Sequence, residues 1–410
     1  MLRQTRHILP KSYFFAALCY KILLGWALGL LYVYYYDGAD TFVYYHDASL
    51  LAATFWQEPQ LYLHALTGER FPDGLIYLMQ PRALYFARLA SLVSIFSLDN
   101  YWLISLSFSI FCFLASWWLV SRLKLFFQLD NWQVFIPFII YPSVVFWSSG
   151  ILKESFSTGL IFLLIAFSLQ LIYGRQGLNK LVLHLLMILI ASVLLWQLKY
   201  YIAAVLIPLL VLILSTAAFR QIGFTGKTTF WMVLSSLLIG ILVVFGVAHL
   251  HDNLHPQLVL AALVKNHDLT IAASVPGNYI LFKGLEANLL SFVGHFPEAV
   301  FSGLFRPLPW EGSSLLHLLA GIENSLLLFI TATAFLCLVN RPQSLMQQPF
   351  LWVSCAVYIL TLSSMMALAS PNFGSLIRYR VAYAPFWLLL MLILLDLSFL
   401  KKLFQGRKKM

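Results

Sequence analysis

The chain has 410 residues, of which 61% are hydrophobic and only 10% charged, and it carries a net charge of +10. That balance excludes a soluble domain of ordinary composition, and it leaves no room for a nucleic-acid surface, because the basic residues fall in short loops and tails without interleaved aromatics. Cys19, Cys112, Cys337 and Cys355 all lie inside apolar runs, so neither a disulfide framework nor a metal-ligand spacing is visible.

Apolar runs long enough to cross a bilayer recur along the whole sequence, which predicts an all-α, polytopic transmembrane helical bundle of about ten spanning helices. The first covers 14–36. It follows Arg3, Arg6 and Lys11, lacks a small-residue cleavage site and exceeds the apolar core of a signal peptide, so it is expected to remain as a membrane helix. Lys21 within it is expected to snorkel. A first outer loop, 37–100, opens with Asp37, Asp40 and Asp47 among tyrosines, the residue type that settles at a membrane interface. Gly38 lets the chain turn, after which Asp40 can cap a helix beginning near Thr41, with Asp40, Tyr44 and Asp47 on one face.

Within that loop, 75–98 is apolar enough to tempt a further span but contains Gln80, Pro81, Arg82 and Arg88. Counting it as a span would invert every later loop and leave the inner loops poor in Lys and Arg, so it is predicted to lie in the interface as an amphipathic helix. The later spans are expected at 101–121, 133–149, 155–173, 181–197, 200–218, 229–249, 313–338, 350–369 and 381–399. One helix over 181–219 would be about 58 Å long, twice the hydrocarbon thickness, so a turn is expected near Lys199. A second large outer loop, 250–312, ends in Arg306-Pro307-Leu308-Pro309-Trp310-Glu311, a stiff strap suited to holding a polar group over a site.

With both termini on the cytoplasmic side, the inner segments hold more than half of the 26 Lys and Arg. Of the 16 Asp and Glu, only Asp130 falls in an inner loop, with Asp396 near the inner end of the last helix. The positive-inside rule does not require that asymmetry, and it points to chemistry on the outer side. The outer ends of the helices gather Asp37, Asp40 and Asp47, then Lys153 and Glu154, Lys199, Arg306 and Glu311, and finally Asn372, Arg378 and Arg380. A carboxylate base together with a cationic clamp for a leaving phosphate needs these residue types. Lys153 and Glu154 read equally as a helix-start ion pair, and Lys199 as a snorkelling side chain. Glu323, inside an apolar run, is a functional candidate because ionisable groups there are costly. The spacing of His249, His251 and His255 fits an interfacial helix face better than a metal site.

Three stretches together resemble the membrane glycosyltransferases of the C superfamily, most closely bacterial family-39-like members. They are Asp37-Gly38-Ala39-Asp40 through Tyr44-Tyr45-His46-Asp47-Ala48; Tyr141-Pro142-Ser143 through Trp147-Ser148-Ser149-Gly150, closed by Lys153-Glu154; and Arg378-Tyr379-Arg380 with Pro385. The resemblance implies an integral protein of a bacterial inner membrane whose active site faces outward. It implies a polyprenyl-phosphate-linked sugar as donor and a glycan, lipid or protein as acceptor. Asp40 would be the base, with Asp37 and Asp47 beside it, and Arg378, Arg380, Lys199 and Lys153 would bind the donor phosphate. Tyr44, His46, Glu154, Arg306, Glu311 and Asn372 would contact substrate. Some members carry an acid-x-acid metal motif, whereas two residues separate Asp37 from Asp40 here. No metal ligands are assigned, and a divalent ion stays open as a cofactor. A lipid-linked-glycan flippase and a polysaccharide polymerase or ligase are the competing functions.

Overall fold

The computed structural model describes residues 10–36, 39–221, 229–255, 257–337 and 349–395. Asp37 and Gly38 lie outside the described residues, as does Asp396. Among the described residues the chain is all-α, with an isolated backbone bridge between Tyr279 and Asn372 and no strand. Among the described residues six helices are long and apolar enough to cross a membrane: Lys11–Tyr34, Tyr101–Phe127, Lys153–Tyr173, Leu178–Gln221, Leu315–Cys337 and Phe350–Ala369. A bent pair, Phe373–Ala382 and Ala384–Leu394, makes a seventh span if its two arms, 64° apart, are taken together. The chain is an integral membrane protein with a polytopic helical fold.

Among the described residues two of the long apolar runs are interrupted, for physical reasons that can be named. Leu178–Gln221 is continuous by hydrogen bonding but breaks at Lys199, whose φ of −144° and ψ of 68° are not helical, so the expected turn sits at the expected residue. The run 133–149 is not one helix. It divides into Asn131–Phe135, a π-turn at Ile136–Ile140 that contains Pro137, and Pro142–Trp147, which Pro142 opens at its first position; each proline removes a backbone donor and so favours a break in the regular hydrogen bonding. Thr229–His249 is helical as expected.

The described residues fall into two compact units, one drawn from 1–126 and 138–203, the other from 127–137 and 204–410. In the first unit the segment after the first helix folds into the helices Ala39–Gln57, Pro59–Thr67 and Pro81–Ser94. The last has 14 residues, about 21 Å, which is too short to span a bilayer. Its face Ala83, Leu84, Phe86, Ala87 and Ala90 is buried, and Leu84 and Ala87 join Leu51, Tyr62, Ala65 and Leu75 in a small core. Part of the apolar character of 75–98 is thus used in packing this segment against Ala39–Gln57 and Pro59–Thr67, while Met79, Phe96 and Leu98 stay exposed.

Lys21 does not snorkel. It is 4% exposed and its ammonium donates to Val145 O at 3.1 Å, Ser148 O at 2.8 Å and Ser148 Oγ at 2.6 Å. These acceptors lie where Pro142–Trp147 ends and its last carbonyls lack helical partners. The lysine spends its three donors there, and the link 148–152 that leads into Lys153–Tyr173 is tied to the first helix.

In the second unit, Leu289–Phe305 packs along Phe350–Ala369 so closely that a Cβ on Gly303 would collide with the Ser363 backbone carbonyl. Gly303→Ala is therefore expected to destabilise the protein by about 1–3 kcal/mol through overpacking, read as a lower thermal midpoint of the purified chain in detergent. An unchanged midpoint would mean that the two helices can part at that point.

Candidate functional site

Ala39–Gln57 begins two residues earlier than expected, so Asp40 lies inside the first turn rather than capping it, where a carboxylate complements the exposed N–H groups of the helix start. Asp40, Tyr44 and Asp47 share one helix face, and all three meet the segment Ile76–Tyr77. Asp40 Oδ1 accepts from the Tyr77 hydroxyl at 3.3 Å, and the Tyr44 and Tyr77 rings lie 4.8 Å apart. Asp47 is fully buried. Its two oxygens take the Ile76 and Tyr77 N–H groups, each at 2.9 Å, and His46 Nδ1 approaches Oδ1 at 3.1 Å from the exposed side. Asp47 thus anchors the backbone that presents Tyr77, while part-buried Asp40 receives the phenol. Burial, followed by the neighbouring Asp40 carboxylate, pushes the Tyr77 phenol far above its usual range, so it remains a donor at any working pH.

Basic residues complete the circuit. Lys153 Nζ lies 5.6 Å over the Tyr44 ring. The adjacent Glu154 forms a 3.0 Å ion pair with Lys199, their side chains 2% and 4% exposed. The next residue, buried Tyr200, carries the exposed Arg82 guanidinium 5.0 Å over its ring. Arg82 in turn sits in the first turn of Pro81–Ser94, just beyond the Tyr77–Gln80 turn. The first unit therefore joins Asp40, Tyr77, Tyr44, Lys153, Glu154, Lys199, Tyr200 and Arg82 through consecutive contacts. Lys199 is an ion-pair partner rather than a snorkelling residue, and its break from helical geometry is what aims it at Glu154.

The remaining predicted residues belong to the second unit. Arg306 and Glu311 are paired, with Nε and Nη2 each 2.7 Å from Oε1, and Glu311 Oε2 accepts from Leu308 N at 2.7 Å. Asn372 caps Phe373–Tyr379, its Oδ1 taking Ser375 N at 3.2 Å and its Nδ2 donating to Ser274 Oγ at 2.9 Å. It also lines an open polar groove of about 460 Å³ with Asn266, Thr270, Ser274 and Ser375. Arg378 and Arg380 sit in helical rather than extended backbone, and their roles separate. Buried Arg380 donates from Nε to Gly303 O at 2.9 Å, from Nη1 to Asn324 Oδ1 and from Nη2 to Arg306 O, so its guanidinium is spent inside the fold. Arg378 is part-buried, with its guanidinium 5.7 Å from the Tyr379 ring.

Four residues in these clusters carried little or no sequence signal. Tyr77 lies in an apolar turn, Arg82 reads only as a charge that forbids a span, and Tyr200 looks like one interfacial aromatic among many. Asn324 stands beside the more conspicuous Glu323, yet it is Asn324 that is buried and bonded to Arg380; a buried amide in an apolar run was the available clue. His249 and His255 meet edge to face at 5.3 Å. Among the described residues no group of three or more His, Cys, Asp or Glu side chains is placed to hold a metal ion. Set against models of protein families, curated proteins and solved structures, the chain matches none of them.

Proposed function

We propose that this chain is an inverting membrane glycosyltransferase that uses a polyprenyl-phosphate sugar, working on the outward face of a bacterial inner membrane. The observation that carries the reading is the joining of a part-buried carboxylate, Asp40, through Tyr77 and Tyr44 to the cation Lys153, from which Glu154, Lys199 and Tyr200 lead on to Arg82. Asp40 takes the proton of an acceptor hydroxyl as its oxygen bonds to the anomeric carbon. The bond from that carbon to the phosphate oxygen breaks on the opposite side, and the lipid phosphate leaves with the bonding electrons. Tyr77 holds the carboxylate in place. Lys153 and Arg82 stabilise the charge gathering on the phosphate, for which the planar guanidinium offers paired donors.

Arg82→Ala should raise the KM for a polyprenyl-phosphate sugar by about tenfold or more, the effect of losing a hydrogen bond to a charged group. Arg82→Lys should restore part of the loss. Transfer assayed in membranes across donor concentrations reads this directly, and an unchanged KM removes Arg82 from the donor site. A flippase or transporter is the second reading, favoured by the helix breaks at Lys199 and between the bent arms at Tyr383, since transporters build sites on discontinuous helices. Formation of a new glycosidic product by the purified chain separates the two.

A further inference from the structure

The second half of 250–312 does not lie where a loop in water would. Leu315–Cys337 has 23 residues, about 34 Å, close to a hydrocarbon thickness of about 30 Å, so Leu315 marks one membrane surface. Asn324 is nine residues further along that helix, about 13 Å down, and its Nδ2 donates to Pro307 O at 2.7 Å. The backbone of Leu308 and Pro309 presses on Gly321 with no space for a Cβ. Gly303 meets Ser363, which lies six residues before the end of Phe350–Ala369, about 9 Å from it. The other end of Leu289–Phe305 is higher. Ser291 Oγ donates to Gly284 O at 3.4 Å and His295 Nε2 lies 3.1 Å from Lys283 O, in a loop whose Ile280 N bonds to Pro371 O just past that same helix end. The chain therefore descends from Ser291 to Gly303, turns through Arg306 to Pro309 at the depth of Gly321 and Asn324, and climbs back to Leu315.

Irregular backbone at that depth must find its partners within the protein. Here it does. Gly303 O accepts from Arg380 and Tyr383, Arg306 O from Arg380, Pro307 O from Asn324, and Leu308 N donates to Glu311. That need accounts for an arginine buried among spanning helices. Meanwhile Leu290, Val293 and Phe296 are 84%, 61% and 42% exposed, an apolar face on a helix that packs against Phe350–Ala369.

We infer that residues 289–309 form a re-entrant helix and turn, entering the membrane from the surface at which Leu315 begins, with the Leu290–Val293–Phe296 face against lipid acyl chains. The inference is independent of the proposed sugar transfer. Nitroxides placed by Leu290→Cys, Val293→Cys and Phe301→Cys in a chain freed of native cysteines, reconstituted in phosphatidylcholine vesicles, should collide more with oxygen than with a nickel chelate. Their depth should increase from Leu290 to Phe301. Chelate collisions matching an exposed Asn266→Cys control, or equal depth at all three sites, would overturn it. The unmodified chain gives a second readout: a diazirine carried on a lipid acyl chain should label 289–301 on irradiation, and no label there would count equally against it.

Discussion

Asp40→Asn should reduce sugar transfer by about 10²–10⁴-fold, the contribution of a positioned general base, while the KM for the lipid donor stays near its original value. The amide matches the carboxylate in shape and can still accept from the Tyr77 hydroxyl, and the position is only part-buried, so the helix start is retained. A fall in kcat alone is therefore the signature of lost proton transfer. Asp47→Asn provides the contrast. The Asp47 carboxylate holds two backbone N–H groups, and an amide presents only one acceptor oxygen. That variant should lose stability and let Tyr77 drift. Rates and thermal midpoints measured on both variants distinguish the roles. Wild-type transfer by Asp40→Asn would move the base elsewhere and favour a polymerase or ligase built on arginine.

The largest effect on stability is expected at Lys199. Its pair with Glu154 is almost completely enclosed, so Lys199→Met leaves a carboxylate without its cation and should cost about 3–5 kcal/mol. The double variant Lys199→Met with Glu154→Gln removes both charges and should recover much of that loss, because a neutral pair of similar volume avoids desolvating ions. Thermal midpoints in detergent for the two singles and the double form a cycle whose coupling term isolates the pair. Additive losses would show that the two side chains act separately. If the double variant folds but fails to transfer sugar, the pair also holds Lys153 and Tyr200, its immediate neighbours in the chain, in their working positions.

Helix positions were legible in the sequence wherever apolar length decided the matter. Tyr101–Phe127, Lys153–Tyr173 and Leu315–Cys337 fall where hydropathy puts them, and the break at Lys199 follows from a run twice too long for a bilayer. What escaped the sequence depends on partners far along the chain. Nothing near Asp47 announces that its oxygens meet backbone N–H groups 29 and 30 residues away, so Asp40 and Asp47 look alike until Ile76 and Tyr77 are seen against them. That Arg380 is bonded inside the fold is seen only from Gly303, Arg306 and Asn324, none of them a local neighbour. The prolines of 133–149 were visible, but hydropathy averages over them and reports one span where the backbone makes three pieces.

The acceptors of Lys21 lie 124 and 127 residues downstream of it. During synthesis the first helix enters the bilayer while most of the first unit has yet to leave the ribosome, carrying an ammonium whose acceptors in the folded chain, Val145 and Ser148, have not yet been made. Until Val145 and Ser148 arrive, that charge favours a shallow or translocon-bound intermediate. Its final seating then becomes a late event, timed by the emergence of the segment that leads into Lys153 and Glu154.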